Sequence, residues 1–185
     1  MSHHTCPWWL GYALASPIRR IMHEPEKILA PYVREGITAL DLGSGMGFFS
    51  LAMAKQVGAQ GKVICVDLQQ EMLDALRKRA ERAGFAERIL LQQAASDDIR
   101  VTDPVDFALA FWMAHEVADV RKFLGQVFSV LKPSGSVLLV EPRIHVTSQE
   151  FQSIIDHARD AGFTVEEAPF VRISRSVILS KTRSF

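Results

Sequence analysis

The sequence contains few cysteines, no long apolar run and no excess of charge of either sign. Cys6 and Cys65 are its two cysteines, and neither belongs to a Cys-x-x-Cys pair or lies near histidines at zinc-ligand spacing. They therefore indicate neither a disulfide framework nor a structural metal site. No stretch of about eighteen apolar residues is present, and the amino terminus lacks the basic start and apolar middle of a signal peptide. We expect a cytoplasmic protein without a metal and without a membrane partner.

Positive and negative charges are balanced, because lysine plus arginine and aspartate plus glutamate each number 21. Such a chain has no overall field that would attract nucleic acid, so no nucleic-acid partner is expected. With 185 residues, of which 48% are hydrophobic, it is long enough for one domain with a substantial core. We predict an amino-terminal arm or lid over residues 1–24 and a single domain over residues 25–185.

The predicted arm is rich in aromatic side chains. Trp8 and Trp9 are adjacent, and Tyr12 follows closely. Because neighbouring side chains in an extended segment point to opposite sides, the two tryptophans cannot share one face. One is expected to pack on the domain while the other covers a pocket or a partner. Packing of the arm on the surface, without a role in binding, is an equally good interpretation.

Residues 37–50 carry the most distinctive local pattern, an apolar run followed by three glycines spaced two apart. The run predicts a strand that ends near Asp41, followed by a tight turn and the start of a helix. Gly43, Gly45 and Gly47 allow positive φ and lack the Cβ atoms that would keep a ligand away from the backbone. The following helix directs its N–H groups at the same point. An ordinary strand-to-helix turn needs one glycine at most, so this pattern predicts a ligand site.

Strands and helices alternate along the rest of the chain. The further predicted strands are 62–67, 88–93, 105–111 and 136–141, and the predicted helices are 25–34, 48–57, 69–83, 119–131 and 149–161. The last strands, 163–173 and 176–181, have no helix between them and therefore pair as a hairpin. We predict an α/β fold with a doubly wound, mostly parallel seven-stranded sheet, one antiparallel strand from the carboxyl-terminal hairpin, and helices on both faces.

Ligands of such sheets bind beyond the carboxyl ends of the strands, where the strand order reverses. Asp41, Asp67, Phe111 and Glu141 all lie at predicted strand ends. Dinucleotide-binding enzymes carry Gly-x-Gly-x-x-Gly at the turn after the first strand, whereas here Phe48 occupies the position of the last glycine. Its bulk argues against close packing over a pyrophosphate, but an NAD-dependent oxidoreductase remains an alternative.

Three short segments carry a family resemblance. They are Leu-Asp-Leu-Gly-Ser-Gly-Met-Gly at residues 40–47, Val-Asp-Leu at residues 66–68, and Leu-Lys-Pro-Ser-Gly at residues 131–135. In this order they resemble the first motif, the ribose-binding acid and the turn before the fifth strand of class I, Rossmann-like S-adenosylmethionine-dependent methyltransferases. The resemblance covers about residues 28–181. It implies S-adenosylmethionine as the cofactor, S-adenosylhomocysteine as its product and a methyltransferase activity.

The resemblance also implies a set of cofactor-binding residues. Asp67, which only accepts hydrogen bonds when ionised, can accept both ribose hydroxyls, although it can also cap the helix that follows. The glycine turn offers its backbone to the methionine end, Asp41 orients that turn, and Met72 pads the ribose or adenine. Residues 94–97 meet the adenine unless they are simply a polar loop. The predicted cofactor-binding residues are Asp41, Gly43, Ser44, Gly45, Gly47, Asp67, Leu68, Met72, Ala95, Ser96, Asp97 and Phe111.

His115 follows the fourth predicted strand, where the resembling family usually places contacts to the methyl acceptor. A histidine has a pKa near 6.5 and can accept a proton at neutral pH, so His115 is the candidate catalytic base. Glu116 can orient it or cap the next helix. A structural histidine bonded to the backbone is the alternative. The predicted substrate-binding residues are Trp8, Trp9, Tyr12, Trp112, His115 and Arg143.

The predicted function is methyl transfer from S-adenosylmethionine to a small-molecule acceptor. Apolar side chains after the fourth strand and the aromatic arm suggest a pocket for a small, partly apolar acceptor. The same segment lacks the Asn/Asp-Pro-Pro-aromatic signature of the family's amino-nitrogen methylases, which disfavours nucleic acid and protein amide acceptors. A non-catalytic cofactor-binding module is a further alternative, and RNA is a less favoured acceptor.

Overall fold

The computed structural model describes residues 23–182 of the chain. Helices and strands alternate there in the predicted order. They are α1 (Pro25–Leu29), β1 (Thr38–Leu42), α2 (Ser50–Gln56), β2 (Lys62–Asp67), α3 (Gln70–Ala83), β3 (Ile89–Gln93), β4 (Val105–Phe111), α4 (Val120–Val130), β5 (Leu131–Pro142), α5 (Ser148–Asp160), β6 (Thr164–Glu167) and β7 (Ser174–Ser180). Short 3₁₀ turns, Ala86–Arg88 and Ala114–Glu116, precede β3 and α4.

In residues 23–182 the strands form a seven-stranded sheet in the order β3-β2-β1-β4-β5-β7-β6. β7 runs antiparallel to β5 and β6, and the other paired strands are parallel. The predicted fold class is therefore confirmed. The chain builds outward from β1 to β3 and then returns to place β4 on the other side of β1, so the strand order reverses beside β1. This reversal is where sheets of this kind bind ligands.

Both faces of the central strands are apolar. Leu40 of β1 belongs to one hydrophobic layer, together with Leu124 of α4 and Ile154 of α5. Ala39, the preceding residue of β1, belongs to the opposite layer, together with residues of α1, α2 and α3 such as Met53. Successive side chains of a strand point to opposite faces, so burial on both faces explains the continuous apolar runs in the sequence. Helices cover both faces, as predicted.

α3 illustrates how local pattern determines an element. Met72, Leu73 and Leu76 recur at helical spacing and are buried, while the opposite side of the helix carries the charged residues. The helix ends at Gly84, which has φ +73° and is the left-handed residue that commonly closes a helix.

None of the helices in residues 23–182 combines the length and the apolar character needed to cross a membrane.

The carboxyl-terminal hairpin is shorter than predicted. The strand expected over residues 163–173 ends at Glu167, so the prediction is wrong for residues 168–173. Pro169 has no N–H for a strand ladder. Ile173 has φ +54°, and its carbonyl accepts the N–H of Arg143 at 3.0 Å. These two features remove the segment from the sheet before β7 begins.

Candidate active site

The carboxyl ends of β1, β2, β4 and β5 surround a cleft with a volume of about 830 Å³. The cleft contains most of the residues predicted to bind a cofactor. Those that line it are Asp41, Gly43, Ser44, Gly45, Asp67, Leu68, Met72, Ala95, Ser96, Asp97 and Phe111. Trp112 and His115 line it as well. Gly47 is the predicted cofactor residue that the structure places outside this lining.

The glycine loop between β1 and α2 is held against β2. The N–H of Ser44 donates to the carbonyl of Val66 at 2.9 Å. Gly43 has φ +68°, and a Cβ atom on it would lie 3.0 Å from Cβ of Met113, so a glycine allows the segment after β4 to approach the loop. The hydroxyl of Ser44 is buried in the lining and has no hydrogen-bond partner within residues 23–182. A buried hydroxyl in this state is ready to bond a ligand.

Asp41 is a buried acid that links the two ends of the glycine loop. Its side chain is 3% exposed, and its Oδ2 accepts the hydroxyl of Ser50 at 2.5 Å. Ser50 is the first residue of α2. The carboxylate of Asp41 thereby joins the end of β1 to the start of the helix that follows the glycine loop.

Asp67 connects the end of β2 to the glycine loop. Its Oδ2 accepts the N–H of Gly45 at 2.8 Å, and its Oδ1 accepts the N–H of Gln69 at 2.9 Å. Burial raises the pKa of Asp67, and the backbone N–H groups of Gln69, Gly45 and Leu68 oppose that rise. Each carboxylate oxygen keeps a second lone pair, so Asp67 can still accept two hydroxyl groups. Gln69 is the N-cap of α3, and Asp67 accepts the N–H of that cap residue.

The loop after β3 closes another side of the cleft. The N–H of Ala94 donates to the carbonyl of Asp67 at 3.0 Å, and the N–H of Ala95 donates to the carbonyl of Asp98 at 2.8 Å. Asp97 is exposed and its carboxylate accepts Nζ of Lys122 at 2.7 Å. This hydrogen bond and the charge of Lys122 hold the pKa of Asp97 below its usual value.

His115 lies in the 3₁₀ turn after β4, and its ring is bonded through Nδ1 to Oε2 of Glu141. Glu141 belongs to β5 and is 0% exposed. Its other oxygen, Oε1, accepts the N–H of Ala114 at 2.8 Å. The hydrogen bond to Glu141 raises the pKa of His115, burial opposes this, and the charges of Glu116 and Glu150 add to the rise. The ring of His145 stacks on His115 with centroids 6.0 Å apart and planes at 9°.

The pairing of His115 with Glu141 is the main feature that sequence reasoning missed. Glu116 was expected either to orient the histidine or to cap the next helix. The structure instead places Glu141 on the ring, and Asp119 caps α4 by accepting the N–H of Lys122 at 2.9 Å. His115 and Glu141 are 26 residues apart, but His115 follows β4 and Glu141 lies near the end of β5, the adjacent parallel strand. Knowledge of the strand order is the signal that would have brought them together.

Aromatic side chains form the wall beside His115. Phe111 lies 4.4 Å from Phe49 and 5.4 Å from Trp112, measured between ring centroids. Trp112 has φ +60°, and its indole Nε1 donates to the hydroxyl of Ser174 at 3.0 Å. A tryptophan rarely adopts positive φ, so this conformation is maintained by the surrounding contacts.

Arg143, another predicted substrate residue, does not line this cleft. Nε of Arg143 donates to the carbonyl of Ser174 at 2.9 Å, and Arg143 lines a separate, smaller cavity with Phe170. Trp8, Trp9 and Tyr12 lie outside the described residues, so the arm and its boundary at residue 24 stay predictions. Within residues 23–182, no group of three or more His, Cys, Asp or Glu side chains is arranged to hold a metal ion.

A family model described as a methyltransferase domain matches residues 34–173. The chain therefore belongs to the methyltransferase domain family, and its sheet is the class I, Rossmann-like fold of S-adenosylmethionine-dependent methyltransferases. The predicted family is confirmed, and S-adenosylmethionine is the cofactor that this membership implies. Membership of this family excludes the alternative of an NAD-dependent oxidoreductase.

Individual proteins of this family are similar to the chain. The chain is 30% identical over 164 residues to a demethylmenaquinone methyltransferase of Lactobacillus johnsonii, which covers 82% of the chain and 65% of the relative. It is 32% identical over 110 residues to the ubiquinone/menaquinone biosynthesis C-methyltransferase UbiE of Haemophilus ducreyi, covering 59% and 42%. The chain thus spans less than two thirds of the length of these curated relatives. A solved S-adenosylmethionine-dependent methyltransferase from Aquifex aeolicus is 26% identical, with a TM-score of 0.86 and coverage of 96% and 100%.

The residues in the cleft fit this cofactor chemically. The hydroxyl of Ser44 lacks a protein partner within the described residues, and Asp67 retains lone pairs for a vicinal diol. Gly45 has φ +52°, and among residues 23–182 no atom other than those of its chain neighbours lies within 4 Å of where a Cβ would be, so the loop leaves room for a ligand next to its backbone.

Proposed function

We propose that this protein transfers a methyl group from S-adenosylmethionine to a small-molecule acceptor that binds beside His115. One observation carries the proposal. The same cleft of about 830 Å³ is lined by the glycine loop, by Asp67 and by His115. A volume of this size is in the range of cofactor and small-ligand sites.

Residues from four segments of the chain would bind the cofactor in this cleft. Asp67 would accept the ribose hydroxyls, Ser44 and the glycine loop would bond the methionine end, and residues 94–97 with Met72 would enclose the adenine. S-adenosylmethionine supplies an electrophilic methyl group on a sulfonium ion and is converted to S-adenosylhomocysteine. The protein has to align the acceptor in line with that methyl group and keep water away.

His115 is the base that we assign to the acceptor. Its Nδ1 is engaged by Glu141, which leaves Nε2 to take a proton from the acceptor as the new bond to carbon forms. Phe111, Trp112 and Met113 make this part of the lining apolar. An apolar wall beside one basic group suits an acceptor with a flat ring and an acidic hydroxyl.

The relative from Lactobacillus johnsonii is named as a demethylmenaquinone methyltransferase. We therefore propose a hydroxylated aromatic ring as the acceptor class, with a reduced demethylnaphthoquinone as the first compound to assay. Loss of the hydroxyl proton to His115 would increase the electron density of the ring carbon adjacent to the hydroxyl. That carbon attacks the methyl group as the bond from the methyl group to sulfur breaks. The proton on the same carbon is then lost, the oxygen is protonated again, and the ring becomes aromatic.

Cofactor binding is tested with the Asp67→Ala variant. Two hydrogen bonds from ribose hydroxyls to a carboxylate would be lost, so affinity for S-adenosylmethionine should fall about 100-fold, which corresponds to about 2.7 kcal/mol. Isothermal titration calorimetry measures this directly. Asp160→Ala is the matched control, because Asp160 is exposed at the end of α5 and does not line the cleft. It should bind like the wild type.

Release of S-adenosylhomocysteine, measured with and without the demethylnaphthoquinol, tests the transfer itself. Wild-type protein that fails to bind S-adenosylmethionine would contradict the proposal outright. Binding without turnover on any hydroxylated ring would favour the non-catalytic module, and turnover on RNA in place of the quinol would replace the acceptor class.

A further inference from the structure

Glu141 is a fully buried acid whose two oxygens are both engaged. Its exposure is 0%, Oε1 accepts the backbone N–H of Ala114 at 2.8 Å, and Oε2 is bonded to Nδ1 of His115. Ala114 and His115 are consecutive residues of the 3₁₀ turn after β4. One carboxylate of β5 therefore holds both the backbone and the side chain of the segment that carries the histidine.

The hydrogen-bond partners determine where the imidazole proton resides. A backbone N–H is always a donor, so Oε1 of Glu141 is an acceptor. An ionised carboxylate has no proton to give, and Oε2 is then an acceptor for Nδ1–H of His115. The neutral ring can carry only one proton, so Nε2 keeps its lone pair. The Nδ1–H tautomer of His115 is thus inferred from its hydrogen-bond partners.

We propose that Glu141 is the positioning residue of this site: it fixes His115 as the Nδ1–H tautomer so that Nε2 accepts the proton of the methyl acceptor. The inference rests on the proposed role of His115 as the base. Glu141 does not line the cleft, so it acts through His115 and touches neither acceptor nor cofactor.

The charged and titratable groups around the ring give the sign of the pH dependence. Glu141 and Glu116 lie close to the histidine, Glu150 acts from α5, and His145 stacks on the ring. The three acids stabilise the imidazolium, so the pKa of His115 lies above its ordinary value. Nε2 carries a proton below that pKa and accepts one only above it. Activity should therefore rise with pH through the raised pKa of His115.

The Glu141→Gln variant separates proton placement from packing, because it preserves the shape of the side chain. The amide oxygen can still accept the N–H of Ala114, but the amide nitrogen then donates to Nδ1. The ring proton is forced onto Nε2, and the base is lost. Removal of general-base catalysis should lower kcat about 100-fold or more, with little change in the KM for S-adenosylmethionine.

The closing experiment reads the tautomer directly by long-range ¹H–¹⁵N NMR on the ¹⁵N-labelled full chain, with His115 assigned from the spectrum of His115→Gln. At a pH above its titration midpoint, wild-type His115 should carry its proton on Nδ1, and Glu141→Gln should move it to Nε2 and lower the midpoint. Glu150→Gln is the matched control. It removes a charge that acts on the ring without a hydrogen bond to it, so the Nδ1–H tautomer should remain.

A wild-type ring protonated on Nε2, or an unchanged tautomer in Glu141→Gln, would overturn the proposal. If Glu141→Gln does not fold, the wild-type spectrum decides the tautomer, and Glu141→Asp must retain Nδ1–H. These readouts need no acceptor. Failure of the demethylnaphthoquinol to react with the wild type would therefore count against the proposed function and leave the positioning of His115 to be judged by NMR.

Discussion

Gly47 shows how the absence of one side chain lets the glycine loop lie against a helix. Its φ is +86°, and a Cβ atom at this position would lie 2.0 Å from Cδ1 of Leu76, which is 0% exposed. Gly47→Ala should lower the free energy of unfolding by about 1–3 kcal/mol, because it crowds a packed core and forces alanine into positive φ. Urea denaturation measures the difference.

Gly45→Ala is the control for this prediction. Gly45 also has positive φ, but within the described part of the chain no atom beyond its chain neighbours lies within 4 Å of where its Cβ would be. The cost of Gly45→Ala should therefore be limited to the unfavourable backbone conformation, about 1 kcal/mol. Equal destabilisation of the two variants would show that Leu76 is not the cause. Combining Gly47→Ala with Leu76→Ala should cost less than the sum of the single changes, since the clash is then relieved.

At the scale of an element, α5 begins with a capping box. Oγ1 of Thr147 accepts the N–H of Glu150 at 3.2 Å, and Oε2 of Glu150 accepts the N–H of Thr147 at 2.8 Å. Thr147→Ala should lower the free energy of unfolding by about 1 kcal/mol, because a terminal N–H of the helix loses its partner. Thr147→Ser keeps the hydroxyl and should retain most of the wild-type value in the same denaturation experiment.

The same capping box makes part of the free energy of unfolding depend on pH in the acidic range. Hydrogen bonds from the backbone and side chain of Thr147 hold the pKa of Glu150 below its usual value. The pKa of glutamate in an unfolded chain is about 4.3. Because the pKa of Glu150 is lower in the folded protein, its ionised carboxylate stabilises the fold at a pH above that value. This stabilisation is lost as the pH falls through the folded-state pKa. The stability difference between wild type and Glu150→Gln should shrink over that range. A difference that grows on acidification would contradict it.

At the scale of the whole molecule, residues at the ends of β1, β2, β4 and β5 and in the loop after β3 line the cleft. A ligand bound there would therefore contact segments that are far apart in the sequence. S-adenosylmethionine at 100 times its dissociation constant should stabilise the fold by about 2.7 kcal/mol. Thermal unfolding at increasing cofactor concentrations measures this. Asp67→Ala should lose most of the shift at the same concentrations, whereas Thr147→Ala should start lower and gain as much as the wild type.

Features that depend on local pattern were predictable from the sequence, and features that depend on strand order were not. The strands, the helices and the glycine loop follow from apolar spacing and from Asp41 and Asp67 at strand ends. The partner of His115 depends on β5 lying next to β4, which no local pattern contains. The role of Gly47 likewise depends on a side chain from α3. The early end of β6 depends in part on contacts to the segment after β5, but Pro169 within the predicted strand is a local signal for it.

β7 lies between β5 and β6 although it follows both along the chain. β6 therefore joins the sheet only through β7, which pairs with β5 on one side and with β6 on the other. β6 is four residues long, and Glu166 and Glu167 are exposed, so the strand at this edge of the sheet is short and charged and offers little to a strand of another molecule. The later strand thus lies inside the sheet, and the earlier one protects its edge against aggregation.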